Sequence, residues 1–489
     1  MGWLQLLALA LLAGQLDGAR RWQRGAWLGG LFALAMQCAT YWWLFISLHV
    51  YGGLAAPLAV LAIVLLASLL GLYYAAAAGL FVALAPARPV LRAVFFAAMW
   101  LLAELARVKF FTGFPWGEGG YAHVDGWARP LAAWVGVHGL TFMAALVAAW
   151  LAFCLLAPRT RWRSALAGLL ASAALAWLPV FNVGDVEPDP ALVKPMSVTL
   201  LQGNIPQDEK FVSGTGVATA LRWYGEQLQG AGGALVIAPE TALPMLPQQL
   251  PDGYWHALQA RFSTGDQAAL IGLSLGDLTT GYSNSVLGFK PALAGEPVPL
   301  EPPAPYRYDK HHLVPFGEVI PLGFQWFIRL MNIPLGDFNR GAVGQLSFAW
   351  QGQRLAPNIC YEDLFGEELA ARFVDGRQAP TVFVNLSNIG WFGNTVAIDQ
   401  HLQISRMRSL EFGRPMIRAT NTGATVIINR LGEVTHSLPR HTRGALVGEV
   451  QGRSGITPYA WWAGRFGLWP LWGLGLAVLG LTRLARRRG

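Results

Sequence analysis

The chain has 489 residues, of which 54% are hydrophobic and only 13% charged, and it carries a net charge of +8. Soluble domains carry about 25% charged residues, so this composition excludes a disordered chain, a coiled coil and an ordinary soluble enzyme. With a mean hydropathy of +0.39 it points to a membrane protein. The positive surplus is not a nucleic-acid footprint. Residues 183–460 hold 20 Lys+Arg against 24 Asp+Glu, and the excess lies beside apolar runs, where it sets membrane orientation. No nucleic-acid partner is expected.

A membrane-spanning helix needs about 20 apolar residues. Runs of that kind fall at 2–17, 26–47, 55–84, 91–107, 131–157, 163–181 and 466–484. The first is short, and the third is long enough to tilt. Arg20, Arg21 and Arg24 follow the first run, Arg88 and Arg92 the third, Arg159, Arg161 and Arg163 the fifth, and Arg483, Arg486, Arg487 and Arg488 the last. These 12 cations share one face, and only Arg107, Lys109, Arg129 and Arg465 fall on the other. The positive-inside rule puts the 12 in the cytoplasm and residues 183–460 outside, in a periplasm-like space. Seven spans with a cytoplasmic C-terminus leave Met1 outside. Because cations follow the first run instead of preceding it, the run reads as a retained helix and not as a signal peptide. A helix lost upstream through a misplaced start is the alternative.

The outer loop 108–130 is rich in aromatics and glycine. It reads as an interfacial aromatic belt or as the wall of a lipid-access site, with Trp116 as a candidate substrate contact. Glu104 is an ionisable residue near the end of a span, where function is the default suspicion, but Arg107 three residues on offers it a partner.

From about residue 195 the texture changes. Strands are expected at 197–205, 234–239, 268–275, 381–386, 416–420 and 424–429, and helices at 215–229, 252–263 and 396–413. Continuous apolar strands alternating with helices argue for a layered α/β domain. The stretch 291–305 holds six prolines and reads as a loop. The expected organisation is a helical membrane bundle at 1–182, an outer domain at 183–460, and a last span with a basic tail at 461–489.

Three cysteines are present. Cys38 and Cys154 lie in apolar runs and read as packing. Cys360 stands alone in the outer domain, where structural cysteines normally pair. It follows a β-type run and precedes acidic residues and a helical segment at 366–374. Such a strand-to-turn junction presents a nucleophile at a sheet edge with backbone N–H groups nearby for an oxyanion. A thiol of ordinary pKa about 8.5 then needs a base and a cation. Glu240 ends the strand ALVIAPE, where partial desolvation suits a working base. Lys310 lies in YDKHHLVPFGE and is placed to hold an oxyanion. His311 and His312 suggest a dyad or a metal, but adjacent residues of an extended segment face opposite ways and no ligand cluster accompanies them. No metal and no cofactor are expected.

Together, PET at 239–241, Lys310 and Cys360 resemble the Glu–Lys–Cys triad of the nitrilase superfamily. Within it the chain is similar to the apolipoprotein N-acyltransferase family of bacterial envelopes, on QGNIPQ (202–207), APET (238–241), YDKHHLVPFGE (308–318), NICYED (358–363), WFG (391–393) and 400–423. The resemblance implies an αββα sandwich on a multi-span helical domain in the bacterial inner membrane. It also implies a base at Glu240, an oxyanion-stabilising Lys310 and the nucleophile Cys360. Glu318, Tyr361 and Glu362 would support the site, and Trp391 and Phe211 would contact substrate. Phe211 stands where the family usually has Trp, so stacking survives without the indole N–H. The seven runs counted here fall one short of the family's usual eight. The implied reaction moves an acyl chain from a phospholipid, through a Cys360 thioester, to the N-terminal amine of a diacylated apolipoprotein. A monomer is expected. Two alternatives stay open from the residues alone: a membrane-anchored amidase using water as acceptor, and a transporter or scaffold with an inert outer domain.

Overall fold

The computed structural model of the chain describes residues 2–155, 194–292, 304–321, 323–328 and 337–488. It divides into two compact units. One comprises Met1–Phe45, Ala55–Asp185 and Thr457–Gly489, the other Ile46–Leu54 and Val186–Ile456.

The first unit is helical. Gly2–Asp17, Trp22–Tyr41, Ala56–Leu84, Pro89–Lys109, Ala132–Leu155, Pro458–Phe466 and Trp469–Arg488 are its long elements. Among the described residues three helices are long and apolar enough to cross a membrane, at 56–84, 89–112 and 129–153. The last two helices, bent by 84°, make a fourth if they form one broken span. This is fewer than the seven runs expected. Gly2–Asp17 is too short, Trp22–Tyr41 is interrupted by Gln23, Arg24 and Gln37, and the run at 163–181 lies outside the described residues. Helix Trp22–Tyr41 packs closely on Ala56–Leu84 because Gly29 has no side chain: a Cβ there would lie 2.4 Å from that of Ala78 and 2.8 Å from the Tyr74 carbonyl. Small residues permit such approach between apolar helices. Glu104 has the partner expected of it, accepting from Arg107 Nη2 at 2.7 Å, while Arg107 Nη1 donates to the Tyr41 hydroxyl at 2.6 Å.

Among the described residues the second unit has 12 strands: β1 (Met196–Gln202), β2 (Leu235–Leu243), β3 (Ala268–Asp277), β4 (Gly281–Phe289), β5 (Tyr306–Asp309), β6 (Phe348–Trp350), β7 (Gln353–Ile359), β8 (Val382–Ser387), β9 (Met416–Thr420), β10 (Val426–Ile428), β11 (Val434–Ser437) and β12 (Gly444–Val450). They form two six-stranded sheets, ordered β12-β1-β2-β3-β4-β5 and β11-β10-β9-β8-β7-β6. In each sheet the three central strands run parallel, β1-β2-β3 and β7-β8-β9, and antiparallel strands flank them.

Alternation within the strands decides which side chains meet. Val198, Leu200, Leu235, Ile237 and Leu270 of the first sheet share one core with Leu355, Ile359, Val384, Leu386 and Ile417 of the second. The opposite face of the first sheet, with Leu201, Val236, Ala238, Ile271 and Leu273, packs on Leu221, Tyr224 and Leu228 of helix Ala218–Gly230 and on Leu258 and Phe262 of helix Tyr254–Ser263. Behind the second sheet Phe383 packs on Phe412, the last residue of helix Val396–Phe412, and on Phe373. The unit is an αββα sandwich. Each fully buried Leu or Ile contributes roughly 1.5–3 kcal/mol to holding the layers together.

The expected strands and helices are all present, within a few residues. The helix expected at 215–229 opens with a π turn, Ser213–Val217, before Ala218–Gly230. Not anticipated were β4, β5, β6, β11 and β12. Most of the proline-rich stretch lies outside the described residues.

Candidate active site

Four chain segments meet at one end of the sandwich. The first is β2, which carries Glu240. Its register with β3 shifts between Ala238 and Leu243, and Thr241 there has φ +51°. The bulge re-aims the strand end. It requires Gly272 on β3, where a Cβ would lie 2.4 Å from the Pro239 carbonyl oxygen and 2.8 Å from Glu240 Cα. The second is β5, whose last residue Asp309 pairs with Ser285 of β4, so that Lys310 leaves the sheet directly above Asn284 and donates its N–H to the Asn284 carbonyl at 2.8 Å.

The third segment carries Cys360. β7 ends at Ile359, and a 3-10 turn starts at Cys360 with φ +52°. A non-glycine residue held there is strained, and such strain persists only where the surroundings fix it. Here they do. Glu362, 3% exposed, accepts from the Ile359 N–H at 2.7 Å, from the His311 N–H at 2.7 Å, and from the Tyr308 hydroxyl on both oxygens at 2.7 and 2.8 Å. It thereby ties the cysteine turn to the lysine segment. On the far side, His401 Nε2 donates to the Cys360 carbonyl at 3.2 Å and to Asp363 at 2.9 Å. His401 Nδ1 accepts from Arg418 at 3.0 Å. Burial and Arg418 push the His401 pKa down, which keeps it neutral in that tautomer. Burial opposes the charge on Asp363, but His401, Arg418 and Ser405 hold its pKa below the ordinary value.

The fourth segment is the loop after β8. The Asn388 N–H donates to Glu240 Oε2 at 2.7 Å, and Asn388 Nδ2 donates to Gln207 Oε1 at 2.9 Å. Asn421 bonds both backbone groups of Ile205, at 2.9 and 3.1 Å. The QGNIPQ and 400–423 motifs thus hold one another and frame Glu240.

At the centre, Lys310 is 1% exposed. Its Nζ lies 2.9 Å from Glu318 Oε1 and 3.3 Å from Glu240 Oε1. Asn284 Nδ2 bridges the same two oxygens, donating at 2.8 Å to Glu240 and 2.7 Å to Glu318. The second oxygen of Glu318 accepts from the Val314 N–H at 2.9 Å. Burial alone would lower the Lys310 pKa, but Glu318, then Glu240, carry it above the ordinary value. Burial, then Glu240, push the Cys360 thiol up to about 12, against the pull of Lys310 and the Ser387 hydroxyl. A resting thiolate is therefore scarce, and chemistry at this sulfur would need a base to take its proton.

The structure brings Glu240, Lys310, Cys360, Glu318 and Glu362 together. Tyr361 is 4% exposed, its ring packed on His312 and Phe365. Trp391 is half-buried; its carbonyl accepts from Ser47 at 2.7 Å and its ring meets Tyr51 edge-on. Phe211 is 46% exposed. Trp116 differs from expectation. It is 2% exposed, within the helical unit, packed on Trp43, and its carbonyl accepts from Tyr41 and Arg107. A ring enclosed in that way offers no surface to a lipid, and the exposed aromatics of its loop are Phe110 and Phe111. His311 and His312 have local partners, the Gly341 carbonyl and Glu368. Sequence reasoning missed Asn284, Asn388, Asp363, His401, Arg418 and Lys210. Asn284 sits in GYSNSVLGF, whose polar centre obscures the strand. His401 and Arg418 lie within the 400–423 motif, which carried no chemistry of its own in the sequence.

Residues 1–150 match the apolipoprotein N-acyltransferase N-terminal domain, and 198–459 match the carbon-nitrogen hydrolase family. An apolipoprotein N-acyltransferase of Verminephrobacter eiseniae is 58% identical over 95% of this chain and 88% of its own length. One from Ralstonia nicotianae is 45% identical over 99% and 90%, and one from Neisseria meningitidis 35% over 88% and 84%. Among solved structures, an amidase from Nesterenkonia sp. is 16% identical over 56% of this chain and 95% of its own, with a TM-score of 0.38. The chain belongs to the apolipoprotein N-acyltransferase family, the lipoprotein-maturing acyltransferases of the nitrilase superfamily.

Proposed function

We propose that this acyltransferase works by a two-step exchange through a thioester on Cys360. The observation that carries the reading is the cluster of Glu240, Lys310 and Glu318 gathered at the strained turn of a buried thiol. In the first step the Cys360 sulfur attacks the ester carbonyl of a phospholipid acyl chain, and its proton passes to Glu240. The oxyanion forms beside the Lys310 ammonium, where a fixed buried charge is worth far more than in water. Collapse breaks the ester C–O bond, the proton on Glu240 goes to the leaving oxygen, and a lysophospholipid departs. In the second step the neutral N-terminal amine of a diacylglyceryl-cysteine attacks the thioester. Glu240 takes a proton from nitrogen, the C–S bond breaks, and the returning thiolate recovers that proton, leaving an amide. Glu318 holds Lys310 in place through both steps. The protein acts as a monomer, with no cofactor.

The full chain in detergent micelles, given phospholipid with a labelled acyl chain and a diacylated lipopeptide, is expected to place the label on the peptide's N-terminal nitrogen as an amide. Label released only as free fatty acid, with the peptide unmodified, would mean that water is the acceptor and would favour the amidase alternative.

The catalytic domain is read as periplasmic and the membrane as the bacterial inner membrane, on the 12-to-4 division of cations between the two faces. A reporter fused within the second unit should behave as external, and one after Arg488 as cytoplasmic. A cytoplasmic signal from the second unit would overturn both localisation and substrate.

A further inference from the structure

Behind Cys360 lies a buried polar network that the two-step scheme does not use. Asp363, His401, Ser405 and Arg418 are each fully enclosed, at 0% exposure. Asp363 comes from the turn after β7, His401 and Ser405 from successive turns of helix Val396–Phe412, and Arg418 from β9. Arg418 pairs with Asp363 at 3.4 Å, and the Ser405 hydroxyl donates to Asp363 and accepts from Arg418. The ion pair is therefore complete without the histidine. His401 stands between its members: Nδ1 accepts from Arg418 Nη2 at 3.0 Å, and Nε2 donates to Asp363 Oδ1 at 2.9 Å. A guanidinium can only donate and a carboxylate only accept, so the two partners dictate the tautomer and keep the proton on Nε2. The same N–H reaches the Cys360 carbonyl at 3.2 Å. Asn385 of β8 approaches that carbonyl at a longer 3.4 Å, and its shorter bond, 2.6 Å, is to Asn358.

Polar groups taken out of water cost stability unless each is bonded, and a fully bonded network is rigid. What this network makes rigid is the peptide that follows Cys360. The φ of Cys360 is +52°, a conformation that a residue with a side chain leaves unless its surroundings fix it. Glu362 holds the chain just before it, through the Ile359 N–H at 2.7 Å. His401 holds the chain just after it, through the Cys360 carbonyl. The Cα of Cys360 lies between these two anchors, and they set the direction in which it presents its sulfur. We infer that His401 is a positioning residue for acyl transfer: its Nε2–H, presented by Asp363 and Arg418, fixes the Cys360 carbonyl and with it the place from which the sulfur attacks. The inference rests on the thioester reading above. Asp363 and Arg418 cancel in charge, so the network fixes the turn and leaves proton transfer to Glu240.

The test is a single turnover of thioester formation by the full chain in detergent micelles, with labelled phospholipid at varied mole fraction. His401 is the residue replaced, because loss of Asp363 or Arg418 would strand the other charge in the core. His401→Met keeps the reach of the side chain and loses the donor. His401→Gln keeps an N–H donor near the Nε2 position and an oxygen to accept from Arg418. In His401→Met the rate constant at saturating phospholipid is expected to fall about 100-fold, the cost of roughly an ångström of misplacement, with the half-saturating mole fraction unchanged. His401→Gln should recover most of that loss. A histidine that serves only to fill the core would lower the melting temperature and the amplitude, which counts folded molecules, and leave the rate constant alone; that result would overturn the inference. Equal slowing in His401→Met and His401→Gln would overturn it too. If His401→Met does not fold, His401→Asn takes its place. The amide of that side chain overlies Nδ1 and falls short of the Cys360 carbonyl, so a rate constant equal to that of His401→Gln contradicts the inference. Absence of any thioester on the unsubstituted protein would instead refute the thioester reading itself, so the two failures are told apart.

Discussion

Cys360→Ala is expected to abolish both thioester formation and acyl transfer. Removing a nucleophile from a catalytic group that works as a unit costs about 10⁴-fold or more. The loss should come without unfolding. The thiol stands at the start of a turn that Glu362 and His401 hold through backbone atoms, the Ile359 N–H and the Cys360 carbonyl, and alanine keeps both. Cys38→Ala and Cys154→Ala should leave transfer nearly intact. The measurement is the rate of labelled amide formation at saturating lipopeptide, with melting temperature as the control for folding. Appreciable transfer by a folded Cys360→Ala protein would remove this residue from the mechanism.

Glu240→Gln is expected to have the next largest effect, a fall of about 10²–10⁴-fold in acylation, the range for loss of a general base. The amide is nearly isosteric. It can still accept from Asn284 or from the Asn388 N–H, so the cluster should survive while the proton acceptor is lost. A contrast with Glu318→Gln separates the two carboxylates. Glu318 bridges Lys310 and the Val314 N–H, so its loss should loosen the ammonium that serves both oxyanions. Single-turnover measurement of each half-reaction should then show amine transfer slowed at least as much as thioester formation. If Glu318→Gln slowed acylation as severely as Glu240→Gln yet left a preformed thioester fully reactive toward amine, the roles assigned here would be wrong. No change in either step would make Glu318 a bystander.

The parallel strands of the sandwich were legible in the sequence because they are buried on both faces. Leu200, Ile237, Leu270 and Val384 sit in unbroken apolar runs, the signature of a covered parallel sheet. The flanking strands were not. β4 puts Asn284 and Ser285 at its centre, where Asn284 bonds Glu240 and Glu318 and Ser285 bonds Asp309, so these polar contacts erased the pattern. β12 pairs with β1 across more than two hundred residues of chain, and local patterning carries no sign of so distant a partner. Glu240, Lys310 and Cys360, the proposed triad, could be singled out because the chemistry suggests their types and the motifs suggest their positions, and the structure gathers them in one cluster. Lys210 was passed over as the neighbour of Phe211, because nothing local distinguishes a buried lysine from a solvated one. Trp116 misled for the reverse reason. An aromatic in a glycine-rich outer loop reads as an exposed surface, but its ring closes on Trp43. Among the described residues, two of the apolar runs gave helices that fall short of a span, Gly2–Asp17 by its length and Trp22–Tyr41 by its polar residues.

The central claim is that the acyl chain rests on Cys360 between donor and acceptor. The direct measurement is intact and peptide mass of the full chain after incubation with phospholipid and no lipopeptide. A mass increase equal to one acyl group is expected on the peptide containing Cys360. It should be released by neutral hydroxylamine and transferred to lipopeptide added afterwards. No acyl adduct on Cys360 under conditions where complete transfer proceeds at its normal rate would contradict the account.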